Sequence, residues 1–306
     1  MNSETALIRV SVVIGVHNSV SVINECLDAL QAQIPANPVE IIVADSSTDG
    51  TERIIRSQFP DVQLLHFDEP LTLAQLRGKG IASATGDIIA ILDPYSIVDC
   101  HWLSALIQVH QERPNLIIGG AVDLFAADCQ NLLAWAIYIN EYGMFMSPTE
   151  AGEMEILPGS NISYKRSVLF SGDVPNQTEF WKTFVNSDVE KAGSGLWQAP
   201  AMIVRLHKPI PFWDFFRSRF EHGRCFAGMR ALNLSPGERA LRALTAPLLP
   251  IVLLWRWGSR YWRKNRDRPK FLLTLPLQLL LFGNWAWGEC IGYCFGTGQS
   301  CRRLFY

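Results

Sequence analysis

This chain of 306 residues predicts an α/β fold on a mostly parallel sheet, and three observations predict it. Continuous aliphatic runs recur through its first half, helical periodicity fills the gaps between them, and two of the runs end in an acid at a turn. Runs that are apolar on both faces belong to parallel strands covered by helices on both sides. Their alternation with helices gives βαβ units and a layered α/β architecture.

Each element follows in order. Residues 9–16 read as a buried strand, and His17-Asn18 opens a turn. Val22, Ile23, Cys26, Leu27 and Leu30 then recur at helical spacing, which predicts a helix within 20–33. Residues 40–44 form a second strand that ends in Asp45-Ser46-Ser47-Thr48-Asp49-Gly50-Thr51. Those small polar side chains suit the start of a helix running to residue 57, with Asp49 as a cap. A third strand at 62–67 and a helix at 73–85 lead to the strand 87–92, which ends in Asp93-Pro94-Tyr95. Ligands of open α/β sheets bind beyond the carboxyl ends of the strands, so Asp45 and Asp93 are expected in one cleft. Further on, 116–122 reads as a strand, 132–146 as an aromatic-rich helix, 158–161 as a turn into the segment 162–166, and 202–207 as a strand ending in His207. Asp99 is expected to cap the helix that contains Trp102. The stretch 215–232 is helical and basic.

The formal charge of −2 conceals an asymmetry: from Glu238 onward there are 11 Lys/Arg against 3 Asp/Glu, leaving 16 against 26 before it. A basic, apolar tail on an acidic body suits an anionic membrane surface rather than nucleic acid. The segments 243–255 and 271–287 are apolar but carry Pro247, Pro250 and Pro276, and the first is short of the ~20 residues a spanning helix needs. Between them, 256–270 holds seven Lys/Arg, which the positive-inside rule places on the cytoplasmic side. Re-entrant or interfacial helices are therefore favoured over a two-span hairpin, and a buried helical subdomain stays open. Seven cysteines without a CxxC pair, and no secretory leader at the start, lead to an expectation of reduced thiols and a body facing the cytosol.

The order of these pieces, from the Asn18 turn through Asp45 to Thr51, Leu76-Arg77-Gly78-Lys79-Gly80-Ile81, Leu92-Asp93 before Trp102-Leu103, Gly159 to Arg166 and His207, resembles the inverting glycosyltransferases of family 2. The resemblance covers residues 8–230 and implies a GT-A type, Rossmann-like sheet. With it, the chain is expected to divide into a GT-A domain at 1–235 and a membrane-associated helical region at 236–306. The family likeness implies a nucleotide-sugar donor, a lipid or glycan acceptor at a bacterial inner membrane, and donor contacts at Val16, Asn18, Asp45, Ser47, Arg77 and Asp93. It places Asp45 on the nucleotide base and Asp93 at the head of a DxD motif, whose acids hold a divalent metal against the diphosphate. Here Tyr95 replaces the second acid, so the expected Mg²⁺ or Mn²⁺ site is reduced to Asp93 and His207, with Arg77 adding charge. The acceptor hydroxyl needs a carboxylate to take its proton. Glu179 is the leading candidate and Asp188 the second. Asn161, Arg219 and Arg224 are expected near the acceptor or diphosphate, with a turn role for Asn161 and a membrane-surface role for the arginines left open.

Two other classes compete. A catalytically degenerate GT-A protein, kept as a membrane-bound binding or assembly component, is raised by Tyr95 and Lys182. A dinucleotide oxidoreductase is disfavoured, because Gly15-Val16-His17-Asn18 stands where a GxGxxG turn would follow the first strand.

Overall fold

The computed structural model describes residues 8–33, 39–170 and 178–304. In chain order the elements are β1 (Val10–Val16), α1 (Ile23–Gln31), β2 (Val39–Asp45), α2 (Thr51–Gln58), β3 (Gln63–His66), α3 (Leu73–Ser83), β4 (Ile88–Leu92) and β5 (Ser96–Val98). There follow α4 (Trp102–Glu112), β6 (Ile117–Leu124), α5 (Leu132–Tyr142), β7 (Gly152–Glu153), β8 (Asn161–Lys165), α6 (Arg166–Leu169), α7 (Lys182–Lys191) and β9 (Leu196–Leu206). The last third is helical: α8 (Phe212–Ala231), α9 (Pro236–Thr245), α10 (Leu249–Arg263) and α11 (Arg268–Phe295).

By packing, the chain forms two units: Met1–Asp123 with Ser147–His207, and Leu124–Met146 with Lys208–Tyr306. The first is the sheet unit, with strand order β3-β2-β1-β4-β8-β6-β9-β5 and β7 alongside β9. The strands β3, β2, β1 and β4 run parallel, whereas β8 is antiparallel to both β4 and β6. β1 and β4 are buried along their whole length, as their unbroken aliphatic sequences require. The core joins Val13, Ile42, Ile89, Ile91, Ile117, Ile162, Tyr164 and Phe180. Each such side chain contributes about 1.5–3 kcal/mol by leaving water.

Local chemistry explains the helix starts. Thr72 and Gln75 form a reciprocal capping box at α3, and Ser235 and Glu238 do the same at α9. The helix α1 begins at Ile23, after a turn in which the Ser19 carbonyl accepts the Val22 and Ile23 amides. Asp99 does not cap α4 with its side chain: the N-cap position is His101, and the Asp99 carboxylate instead takes the His101 amide and the Arg205 guanidinium.

The second unit is helical. α8 and α11 pack so closely that a Cβ on Gly288 would sit 2.3 Å from the Phe220 carbonyl oxygen, an approach only glycine permits. Two sequence expectations are corrected here. Pro247 and Pro250 do not break the chain into a short segment: each stands in the first turn of a new helical stretch, where proline lacks no needed donor. The path 236–263 is therefore 28 residues of continuous helix, matching the 28 residues of α11, and both are long and apolar enough to cross a membrane by length and composition. The thiols are not all reduced either, since Cys225 of α8 and Cys301 are joined in a disulfide. A separation of 76 residues hides such a pair from spacing rules.

Candidate active site

Two polar clusters stand at the carboxyl ends of β2 and β4, on either side of β1. The first surrounds Asp45, which is fully buried and paired in register with Val16. One carboxylate oxygen accepts the Ser47 amide at 3.1 Å and the Ser47 hydroxyl. The other meets His66 Nδ1 at 2.7 Å, and the far nitrogen of that ring faces Glu52 at 3.4 Å. Asn18 ties the β1 turn to this one. Its amide donates to Ser47 Oγ at 2.7 Å, and its side-chain oxygen accepts the Thr48 amide at 2.9 Å. The residue has φ 48°, a left-handed conformation that asparagine tolerates better than most. The structure thus brings Val16, Asn18, Asp45 and Ser47 together. Asp49, expected as a cap, accepts from the amide and hydroxyl of Thr51 and from the Val20 amide.

The second cluster surrounds Asp93, which is almost fully buried. One oxygen is held by the Arg77 guanidinium and the other accepts the Tyr95 hydroxyl at 2.9 Å. Arg77 reaches across from α3 past Gly15, whose missing Cβ would lie 3.3 Å from Arg77 Cγ. Among the described residues Arg77 Nε is buried without a partner. Lys182, the first residue of α7, adds a second cation: Nζ donates to the Leu157 carbonyl at 2.6 Å. Burial first, then the Arg77 charge, lower this ammonium to about 8 against the opposing pull of Asp93. The same Asp93 charge, after burial, pushes the Cys26 thiol up to about 12, leaving it protonated and inert.

Glu179 lies on the surface beside α3. Gln75 Nε2 donates to one of its oxygens at 3.1 Å and Trp181 Nε1 to the other at 2.9 Å, so two neutral donors orient the carboxylate. The Phe180 amide donates to the Ala74 carbonyl, which fixes this segment on the helix that carries Arg77. Asp188 sits a helix length away along α7 and pairs with Lys191 at 3.0 Å. His207 follows β9, and its amide donates to the Tyr95 carbonyl at 3.0 Å, so its backbone lies against the Asp93-Pro94-Tyr95 turn.

Asn161 has an internal task instead of an open one. It is fully buried, accepts Trp102 Nε1, and donates to the carbonyls of Ala121 and Met202, tying the start of β8 to β6 and β9. Arg219 and Arg224 belong to the second unit. Arg219 pairs with Glu141 at 3.3 Å and lies 4.3 Å over the Trp285 ring, while Arg224 Nε donates to the Gly296 carbonyl beyond α11. Sequence reasoning missed the support given by His66 and the second cation at Lys182. The signal for His66 was the strand-end pattern itself, since β3 also runs into a polar turn.

A GT-A site with a metal needs open carboxylate oxygens. Both oxygens of Asp93 are taken, Tyr95 offers a phenol where an acid is expected, and among the described residues no three His, Cys, Asp or Glu side chains gather. A divalent ion at Asp93 would also be repelled by the guanidinium already there. These residues do not fit a divalent metal.

The sheet and its strand-end clusters define a GT-A type α/β protein. Solved structures agree on the fold. A mannosyltransferase, PcManGT from Pyrobaculum calidifontis, described in complex with GDP-Man and Mn2+, superposes with a TM-score of 0.56 at 18% identity, covering 95% of this chain and 88% of its own. GalNAc-T7, described with UDP, GalNAc and Mn2+, gives 0.51 at 15% identity over 68% of this chain and 46% of its own. The model of glycosyl transferase family 2 matches residues 11–170, and the chain belongs to that family. Among curated relatives, Glycosyltransferase AglE of Haloferax volcanii is 31% identical over 37% of this chain and 39% of its own. A glucosyl-dolichyl phosphate glucuronosyltransferase of the same organism is 29% identical over 47% and 48%. This chain thus spans less than half the length of the curated relatives it matches.

Proposed function

We propose that the chain is a glycosyltransferase that moves a sugar from a nucleotide-sugar donor to a lipid or glycan acceptor at a membrane surface, with inversion. The observation that carries this reading is the pair of polar clusters at the carboxyl ends of β2 and β4, where sheets of this kind bind nucleotides. Asp45, fixed by Ser47 and His66, faces the base, and the turn from Val16 to Asn18 flanks it. Arg77 meets the diphosphate. Glu179 takes the acceptor proton as the acceptor oxygen bonds to the anomeric carbon and the bond to the diphosphate breaks, with Asp188 as the second candidate for this role. A nucleoside diphosphate leaves. The developing charge on that group needs fixed positive charge nearby.

The membrane part rests on the two apolar helical paths and on the seven Lys/Arg between residues 256 and 270. With the catalytic unit and this basic stretch both on the cytoplasmic face, the helices lie in the interface or re-enter it. The relative that acts on a dolichyl phosphate-linked sugar supports a lipid-linked acceptor. A non-catalytic descendant remains the second reading, favoured by the closed Asp93 carboxylate.

The test is transfer and hydrolysis from a panel of sugar nucleotides by the purified full chain, with Glu179→Gln beside it. Turnover is expected for one donor and a fall of about 10²–10⁴-fold in the variant. Binding without turnover selects the non-catalytic reading, and retained activity in Glu179→Gln removes Glu179 as the base.

A further inference from the structure

We infer that the donor's diphosphate is neutralised by two side-chain cations, Arg77 and Lys182, without a divalent metal, and that Asp93 serves to aim the Arg77 guanidinium. This rests on the nucleotide-sugar reading above and deepens it. The first ground is the closed carboxylate: with Arg77 on one oxygen and Tyr95 on the other, Asp93 acts as an acceptor for protein donors. A guanidinium held in this way presents its remaining N–H groups in a fixed fork, the geometry that phosphate oxygens match.

The second ground is unfilled hydrogen-bonding capacity. Among the described residues Arg77 Nε is buried without an acceptor, although buried polar groups are nearly always paired. The Lys182 ammonium has three donors, one of which goes to the Leu157 carbonyl. The third is charge. Arg77 pairs with Asp93, and the charges of both act on Lys182, so the three together carry one more positive than negative charge. Lys182 also occupies the first turn of α7, where the helix dipole opposes a cation and favours an anion. A diphosphate supplies what each of these groups lacks: acceptors for the free donors and negative charge for the excess cation. Lys182 further lies next to the turn before β8, with its Cδ 3.8 Å from where a Cβ on Gly159 would stand.

The experiment is calorimetric titration of the purified full chain with UDP and GDP, and with uridine and guanosine as diphosphate-free probes, in chelator and again with Mn²⁺. Affinity for the preferred nucleoside diphosphate is expected to be the same in chelator and in Mn²⁺. Lys182→Met is expected to weaken the diphosphate by about tenfold or more while leaving the nucleoside unchanged. Lys182→Arg should restore the affinity, and the melting temperature of each variant reports its folding. Binding that appears only with Mn²⁺ overturns the inference, as does a Lys182→Met variant that folds and binds the diphosphate as tightly as before. If no nucleotide binds under any condition, the nucleotide-sugar reading itself fails, and that outcome is distinct from a metal requirement.

Discussion

The two units differ in the kind of side chain they expose. Among the described residues, the sheet unit exposes two large apolar side chains, Val20 and Phe170, whereas the helical unit exposes sixteen, including Leu244, Ile251, Trp255, Leu273 and Trp287. Inside, both units bury polar groups, the sheet unit Asp45, Asp93, His110 and Asn161 among them. The helical unit buries Asn140, Arg219, Glu221, Thr274, Gln278 and Glu289, and links several of them: Glu141 joins Lys208 and Arg219, and Gln278 bonds Asn140 and the Ala136 carbonyl. A sheet unit with aliphatic interior strands is built for water outside. Apolar residues turned out over paired internal charges are the pattern expected of segments that meet a membrane. The difference agrees with the membrane role proposed for the second unit.

The largest effect that would test this contrast comes from breaking the internal charge group. Burial pushes the Glu141 carboxyl up, but Lys208 and Arg219 outweigh it and hold the group below the usual carboxylate range. Glu141→Ala leaves two cations buried and should cost about 3–5 kcal/mol in denaturant unfolding of the purified chain. A loss under about 1 kcal/mol would mean that water already hydrates these groups. A smaller effect should come from the outer face. Replacing Ile251 and Trp255 by Asn should reduce binding to anionic phospholipid vesicles by about a hundredfold, since each buried side chain is worth about 1.5–3 kcal/mol. Val20→Ser and Phe170→Ser in the sheet unit should leave vesicle binding unchanged. Equal losses from both pairs would erase the contrast.

A further effect is one the units share. Burial lowers His110 of the sheet unit to about 3, with a contribution from Lys165, and lowers His222 of α8 to about 4, with a contribution from Arg219. Both rings are neutral when folded and take up a proton near ~6.5 when unfolded. The unfolded state therefore binds more protons below about 6.5, and stability falls with pH, down to about 4 for His222 and about 3 for His110. Urea unfolding across this range should show that slope. His222→Gln and His110→Asn should each flatten it by about one proton, and an unchanged slope in His222→Gln would show that its ring is hydrated.

Much of the sheet unit was legible because its information is local. Aliphatic runs, helical spacing and strand-end acids state the βαβ order directly, and Asp45 and Asp93 stand at the strand ends where they were expected. The supports of those acids were not legible. His66 reaches Asp45 because β3 and β2 pair in parallel with these two residues in register, 21 positions apart in sequence. Lys182 reaches the Asp93 group because residues 179–182 pack against α3, a contact with no local signature. The helical unit was harder to read. Proline is a helix breaker by local rules, yet Pro247 and Pro250 start helical segments within a continuous path.

By itself, the sequence determined the strand and helix alternation, the acids at the turns, the charge asymmetry and the family, because each is written in nearest-neighbour periodicity or in motif order. Tertiary structure alone decided that Asp93 holds a guanidinium and a phenol, that Cys225 meets Cys301, and that 124–146 packs with the last hundred residues. Those outcomes depend on which distant groups fill one another's hydrogen-bonding and charge requirements once water is excluded. Such pairing is set by three-dimensional register, and no spacing along the chain records it.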